Sequence, residues 1–264
     1  MNKYFELVRP RHLLGSTLIF LIGTSLFYRF NGFTANLLPG LISFILIYST
    51  VYIFNDLSDL KEDKKHYVSW KANRPLPKGL IKPTTARKIL MTNLIIGLLT
   101  SLLVNYGVLI INSLIVLLNF TYSKYKIKKK PLIGLPIIAT SQLLKMLNGW
   151  VINAVSLTGI PITFILIIAC SYSTFLSIYK KTTFKKQSNK NKYLLINSII
   201  LTTLFILSLI YYPILRSVFI KLTALIIIGA PFIYYFNKDI NKHFVKGLYL
   251  VQLVYLLVIL SILF

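Results

Sequence analysis

The sequence predicts an all-helical, multi-pass membrane protein, a bundle of about nine transmembrane helices. Hydrophobic residues make up 56% of the 264 residues, and mean hydropathy is +0.71, well above the values of ordinary globular proteins. The apolar residues form long runs separated by short polar stretches, which is the pattern of polytopic helical membrane proteins. Loops rich in lysine and arginine alternate with loops that carry almost none, as expected if the chain crosses a membrane repeatedly.

The apolar runs divide the chain into nine predicted spans. Their limits are approximate because several runs are shorter than the roughly 20 apolar residues of a typical span. The spans are 12–28, 37–57, 88–104, 106–122, 132–155, 161–179, 193–212, 214–236 and 244–264. We expect one domain over residues 1–264, with an Asp-rich motif and its loop at 55–88 and a basic loop at 180–192.

The distribution of basic residues tests this count and predicts the orientation. The basic loops follow every second span, and an eight-span chain would break the alternation. The positive-inside rule then places the N-terminus in the cytoplasm and the C-terminus outside the cell membrane. With a net charge of +24, the chain is expected to contact membrane lipids, and no nucleic acid is expected as a partner. The single cysteine, Cys170, rules out an internal disulfide.

The acidic residues are concentrated in one stretch at the end of the second span. The chain has six Asp and Glu residues, and four of them lie within the nine positions 55–63. On a helix, residues at i, i+3 and i+7 share a face, and hard oxygen ligands on one face suit Mg²⁺. A solvated helix end paired with nearby lysines is the alternative. The predicted metal ligands are Asn55, Asp56, Asp59 and Asp63, with Asp59 and Asp63 as catalytic residues.

Basic residues accompany this acidic stretch. Lys71 and Arg74 follow it in a loop whose prolines and glycine predict irregular backbone. Carboxylates beside cations can hold a metal-bound diphosphate, because the metal bridges acid to phosphate and the cations bind the remaining oxygens. Lys145 falls inside the fifth predicted span. A lysine within the membrane is a functional candidate by default, and the alternative is a side chain that snorkels to the interface.

These motifs resemble those of a known family. Asn55-Asp56-x-x-Asp59-x-x-x-Asp63, followed by Asn73-Arg74-Pro75-Leu76-Pro77-x-Gly79, is similar to the first signature of the UbiA superfamily of intramembrane polyprenyl transferases. Arg9-Pro10-Arg11, and Tyr122 with Lys126, resemble further landmarks of the family. The resemblance implies a nine-helix UbiA-like fold, an Mg²⁺ cofactor, a diphosphate donor and a polyprenyl lipid substrate at a cytoplasm-facing cleft.

The chain departs from the prenyl-transferring members after the sixth span. Those members carry a second Asp-rich motif there, whereas this chain has Lys180 and Lys181, and no carboxylate between Asp63 and Asp239. The polyprenyl-phosphate phosphoribosyltransferase branch also lacks the second acidic pair. A lipid phosphate acceptor is anionic and requires cations, which favours this branch.

Two further features match that branch and two differ. His66 and Lys145 match its histidine after the last aspartate and its basic residue in the fifth span. A glutamate after the Lys180–Lys181 pair is absent, and the linker between His66 and Arg74 is longer, as in the prenyltransferases.

Three functions therefore stay open. The preferred one is Mg²⁺-dependent phosphoribosyl transfer from phosphoribosyl diphosphate to polyprenyl phosphate, and the first alternative is transfer of a prenyl group to an aromatic or other small acceptor. A non-enzymatic transporter or lipid-binding protein ranks third, because transporters place polar groups near the membrane midplane and these carboxylates lie at one edge of the membrane.

Some of the predicted binding residues also have a structural alternative. Lys180 and Lys181 could serve only to set the topology, and His66 could be a solvated loop residue. The residues predicted to bind phosphate or substrate are His66, Lys71, Arg74, Tyr122, Lys126, Lys145, Lys180 and Lys181.

Overall fold

Helices account for all the regular structure that we describe. The computed structural model describes residues 3–31, 35–65, 74–127, 131–153 and 159–179, together with helical positions at 196, 199–200, 202–204, 206–207, 210–211 and 257. The elements are α1 (Lys3–Leu7), α2 (Pro10–Asn31), α3 (Leu37–Lys65), α4 (Pro83–Val104), α5 (Tyr106–Lys124), α6 (Pro131–Val151) and α7 (Ile162–Tyr179). No strand occurs in these ranges, so the all-helical prediction is confirmed for them.

Helices α2 to α7 coincide with the first six predicted spans, but some ends differ. Helix α3 continues past the predicted limit at 57 to Lys65, so the whole acidic stretch is helical. Helix α4 begins at Pro83 and not at 88, because proline fits the first helical turn even where the sequence is still polar. The last three predicted spans lie outside the continuous described ranges, and the count of nine stays a prediction.

The composition of the helices separates a lipid-facing surface from a polar interior. Helices α3, α4 and α5 are long and apolar enough to cross a membrane, and α2 and α7 contain shorter apolar segments. Leu103 of α4 and Leu117 of α5 are exposed, as suits a surface in contact with lipid. Helix α6 instead buries several polar residues, so its polar face lies against its neighbours.

Two glycines bring α2 and α6 into backbone contact. A Cβ atom on Gly23 would lie 1.8 Å from the carbonyl oxygen of Met146, and one on Gly149 would lie 2.0 Å from that of Phe20. Thr24 Oγ1 donates a hydrogen bond to the Gly149 carbonyl over 3.1 Å. Small residues allow such close approach in membrane helices, and this contact fixes the position of α6 beside α2.

A buried polar network joins four helices in the middle of the bundle. Asn112 of α5 donates to Ser101 Oγ of α4 over 2.8 Å and to Ser43 Oγ of α3 over 3.4 Å. Its side-chain oxygen accepts a 2.6 Å hydrogen bond from Asn148 of α6. Because these groups are buried, each bond satisfies a donor or acceptor that has no access to water.

A second, smaller apolar cluster lies at the acidic end of α3. Leu7 of α1 and Leu76 and Ile81 of the loop after α3 are buried there together with Ile53 of α3. The loop forms a compact turn in which Gly79 adopts φ +74°, a conformation that favours glycine. This cluster anchors α1 and the loop on α3, and thereby positions the arginines described next.

Candidate active site

The acidic end of α3 presents carboxylates at two levels of burial. Asp56 and Asp63 are buried, with 1% and 3% of their surface exposed, whereas Asn55 and Asp59 are half-buried. Asp56 and Asp63 are seven residues apart, about 10 Å along the helix axis. Buried carboxylates require charged or hydrogen-bonded partners, and two arginines supply them.

Arg9 binds Asp56 with two hydrogen bonds. Its Nε donates to Asp56 Oδ2 over 3.2 Å and its Nη2 donates to Oδ1, the bidentate arrangement in which an arginine–carboxylate pair is strongest. Arg9 has φ +52°, a conformation unusual for a non-glycine residue. Its carbonyl accepts from the amides of His12 and Leu13, so this residue both starts α2 and directs its guanidinium towards α3.

Arg74 connects the two buried carboxylates. Its Nη1 lies 2.7 Å from Asp56 Oδ1 and 3.1 Å from Asp63 Oδ2. Burial lowers the pKa of Arg74, the positive charge of Arg9 lowers it further, and Asp56 and Asp63 oppose both effects. Two arginines and two aspartates thus form a buried network of zero formal charge, which we call the Arg–Asp network.

The end of α5 completes this region. The rings of Phe54 and Phe120 stack with centroids 3.8 Å apart and hold α5 against α3. Ser123 Oγ donates a hydrogen bond to Asn55 Oδ1. Tyr122 lies close enough to Asp59 for the negative charge of the carboxylate to interact electrostatically with the phenol.

Lys126 also reaches the acidic end of α3, as part of an exposed ion pair. Its Nζ lies 2.5 Å from Glu62 Oε1, with the two side chains 48% and 34% exposed. Glu62 raises the pKa of Lys126 by this hydrogen bond and by its charge. The structure therefore brings Tyr122, in the last turn of α5, and Lys126, two residues beyond the helix, to the acidic stretch.

Lys145 lies deeper in the bundle, on α6. It is 6% exposed, its Nζ donates to Gln142 Oε1 over 2.9 Å, and it lies 4.8 Å from the ring centroid of Tyr48. Ser141 Oγ is 3.2 Å from the Tyr48 hydroxyl. The sequence placed Lys145 near polar residues within a span, and the structure shows that it is buried in the bundle and faces α3.

Four predicted site residues belong to parts of the chain that the structure does not describe. His66, Lys71, Lys180 and Lys181 lie outside the described residues. The predicted site does not include Arg9, although Arg9-Pro10-Arg11 resembles a landmark of the family. Charge balance is the available signal, because a buried aspartate needs a cation and Arg9 is one of two arginines, with Arg11, that lie just before the first predicted span.

The site offers hard oxygen donors for a magnesium ion. In the described ranges, no three His, Cys, Asp or Glu side chains lie close enough to share one ion. Mg²⁺ commonly binds through one or two carboxylates together with substrate phosphates and water. One or two of the side-chain oxygens of Asn55, Asp56, Asp59 and Asp63 would fit that mode, in which a substrate's phosphate groups and water supply the other ligands.

Comparison with known proteins identifies the family. The UbiA prenyltransferase family matches residues 16–243. The chain belongs to this family. Digeranylgeranylglyceryl phosphate synthase of Sulfurisphaera tokodaii is 33% identical over 149 residues, which are 56% of this chain and 52% of that protein. The synthase of Methanocaldococcus jannaschii is 30% identical over 135 residues, 50% of this chain and 45% of that protein. The chain spans about half the length of these curated relatives.

Solved structures show that this UbiA family member has the family's fold. A UbiA homologue from Archaeoglobus fulgidus bound to GPP and Mg²⁺ superimposes with a TM-score of 0.75 at 18% identity, covering 99% of both chains. A digeranylgeranylglyceryl phosphate synthase structure gives a TM-score of 0.70 at 23% identity, covering 99% of this chain and 98% of that one. The predicted UbiA-like fold is confirmed, and this family member is an integral membrane protein.

The same relatives bear on the choice of reaction. They are named as digeranylgeranylglyceryl phosphate synthases, and the family is one of prenyltransferases. The prediction of a UbiA-type transferase is confirmed at the level of the family. Prenyl transfer, the alternative reaction in the sequence analysis, is supported by these relatives, whereas phosphoribosyl transfer, the preferred one, is not.

Proposed function

We propose that this UbiA family member transfers a prenyl group from a prenyl diphosphate to a lipid acceptor within the membrane. The observation that carries this proposal is the Arg–Asp network at the acidic end of α3. It places two arginines and the Asp-rich helix side by side in a fold whose relatives are prenyltransferases. An anionic diphosphate needs both cations and metal-binding oxygens, and this region supplies both.

The arginines are the groups that we expect to contact the diphosphate directly. Arg74 reaches both buried carboxylates through Nη1, and a guanidinium carries five N–H donors in a planar fork that suits phosphate oxygens. Arg9 is held by Asp56 in the same network. Prearranged cations at the point where negative charge develops lower the barrier to bond cleavage, here as the diphosphate leaves and an allylic cation forms.

Mg²⁺ would be held by one or two side chains of the predicted set, which is Asn55, Asp56, Asp59 and Asp63. When bound, this ion would neutralise charge on the leaving diphosphate. Asp59 is the first carboxylate that we expect to act, because it is half-buried whereas Asp56 and Asp63 are buried against the arginines. Asp56 and Asp63 position Arg9 and Arg74, and their release from these partners would be required before they could bind metal.

The orientation of the protein is part of this proposal. The positive-inside rule places the Arg–Asp network and the basic loops on the cytoplasmic side, where water-soluble diphosphates are accessible. The acceptor enters from the lipid. We further propose that His66, Lys71, Lys180 and Lys181 contribute cations at this side, as the sequence analysis predicts.

Phosphoribosyl transfer to polyprenyl phosphate is the second candidate. It is favoured by one observation, the absence of any carboxylate between Asp63 and Asp239, which leaves no second acidic motif in that stretch.

Incubation of the purified chain in lipid nanodiscs with Mg²⁺ distinguishes the two reactions. One sample receives labelled prenyl diphosphate with candidate acceptors, and the other receives labelled phosphoribosyl diphosphate with polyprenyl phosphate. We expect a lipid product only from the prenyl donor. Product only from the phosphoribosyl donor would overturn the proposal in favour of the second candidate.

A further inference from the structure

The surface that α4 and α5 turn towards lipid changes from apolar to basic near one end. Leu102, Ile95 and Lys88 of α4 are exposed and follow at intervals of seven residues, so they share one face of the helix. Leu117 and Lys124 of α5 are likewise exposed and seven residues apart. On both helices the apolar stripe therefore ends in a lysine.

The two lysines lie at nearly the same depth. Helices α4 and α5 run antiparallel, and Asn112 of α5 donates a hydrogen bond to Ser101 of α4 over 2.8 Å. From this contact, in the same direction, Lys88 is 13 residues away and Lys124 is 12 residues away, which are about 20 Å and 18 Å along the helix axes. Neighbouring helix axes are about 8–10 Å apart, so one headgroup between them is within reach of both side chains.

Arg87 adds a third cation beside the lysines. It is exposed, and it precedes Ser101 by 14 residues, two heptads, which places it on the α5 side of α4. Arg87, Lys88 and Lys124 form what we call the basic patch. Tyr125 is 65% exposed, and the Lys124 ammonium lies 5.8 Å from the centroid of its ring. Exposed tyrosines are typical of the membrane–water interface, so the basic patch lies at the level of the lipid headgroups.

The combination of charge and apolar surface indicates which anion fits the basic patch. In the described ranges, the carboxylates of the acidic stretch pair with Arg9, Arg74 and Lys126 and not with the patch. Like charges at one level repel each other unless an anion lies between them. A free phosphate ion would compensate the charge but would not use the apolar stripes that adjoin it. An anionic phospholipid uses both, because its headgroup meets the cations and its acyl chains extend along the stripes.

We propose that the basic patch binds an anionic phospholipid of the phosphatidylglycerol class, in the leaflet on the side of the acidic stretch. The phosphate accepts charge-assisted hydrogen bonds from the patch, and the acyl chains lie along the exposed faces of α4 and α5. This lipid is a structural partner and not a substrate, because the patch lies on the outer surface of the bundle. Its binding does not require the proposed reaction.

Lipid binding to the detergent-solubilised native chain tests this proposal. Native mass spectrometry follows titrations with dioleoylphosphatidylglycerol, with dioleoylphosphatidylcholine, which has the same chains but no net charge, and with glycerophosphoglycerol, which is the anionic headgroup without chains. We expect the phosphatidylglycerol to be retained and the other two ligands to be lost. Lys88→Gln and Lys124→Gln should each raise the dissociation constant for phosphatidylglycerol about 5-fold, and the double variant about 25-fold.

Matched variants show whether the position of the charge matters. Lys61→Gln/Lys64→Gln removes the same charge from exposed lysines of α3 and should change the dissociation constant far less than Lys88→Gln/Lys124→Gln does. Lys88→Arg/Lys124→Arg keeps the charge and should retain binding. Because all these side chains are exposed, each variant should melt at the native temperature without added phospholipid, which checks that it is folded.

Four outcomes would overturn the proposal. Equal retention of phosphatidylcholine would remove the role of charge, and equal binding of glycerophosphoglycerol would indicate a site for free anions. Equal losses in the two glutamine double variants would show a general effect of net charge. A complex of two chains that disappears only in Lys88→Gln/Lys124→Gln would show that a second copy of the chain covers this face.

Discussion

The Arg–Asp network makes a quantitative prediction about stability. Replacing Arg74 by methionine keeps most of the side-chain volume but removes the charge that binds Asp63, whose side chain is 4% exposed. Asp56 keeps its two hydrogen bonds from Arg9, so the loss is concentrated at Asp63. Removing one partner of a buried ion pair typically costs about 3–5 kcal/mol, because the other charge stays buried without compensation.

This cost is large enough to measure in a protein of this size. At roughly 2–4 °C per kcal/mol, Arg74→Met should lower the melting temperature by about 6–20 °C. The assay follows the loss of monodisperse protein on heating in one detergent at one heating rate, because unfolding of membrane proteins is commonly irreversible and depends on the rate. Lys126→Met is the matched control, since its ion pair with Glu62 is exposed and water screens such pairs, so that its loss should change the melting temperature little.

A double-mutant cycle isolates the interaction between the two residues. Asp63→Asn removes the charge that Arg74→Met leaves unpaired, so the double variant should be more stable than Arg74→Met alone. Coupling between contacting charged residues amounts to about 0.5–3 kcal/mol, whereas independent sites add. Additive effects, or a loss in Arg74→Met no greater than in Lys126→Met, would refute the interpretation of the network as a buried, mutually dependent set of charges.

Three further predictions concern the site and the helix contacts. Asp59→Asn should abolish Mg²⁺-dependent turnover and lower the melting temperature less than Arg74→Met does, because Asp59 is half-buried and lies outside the Arg–Asp network; retained turnover would exclude it as a metal ligand. Gly23→Ala should prevent recovery of folded protein, since its Cβ would meet the Met146 backbone at 1.8 Å. Gly97→Ala should reduce the yield far less, because its Cβ would meet side-chain atoms of Ile47 at 3.0 Å and Leu46 at 3.2 Å and no backbone; equal yields of the two variants in a size-exclusion profile would contradict this. Asn112→Ala should lower stability by about 1–2 kcal/mol, given roughly 0.6 kcal/mol for each hydrogen bond within a membrane; a melting temperature equal to that of the native chain would show that the network contributes nothing.

The sequence alone determined the fold class, the six long helices α2 to α7 and the location of the acidic stretch. Long apolar runs must form helices in a membrane, because every backbone polar group needs a partner inside the segment. The acidic stretch stands out because acidic residues are rare in this chain. Four of its six carboxylates lie within nine residues, and the net charge is +24. The motifs in that stretch also indicated the UbiA family, which the family comparison confirmed.

The tertiary structure decided which charges meet. Arg9 and Asp56 are 47 residues apart in the chain, and they meet because an apolar cluster of Leu7, Leu76 and Ile53 fixes α1 and the loop on α3. Hydrophobic periodicity reports which face of a helix is buried but not which neighbour covers it. The pairing of Arg74 with two carboxylates, and the burial of Lys145 over Tyr48, depend on contacts between helices distant in sequence, and only the folded bundle brings those side chains together.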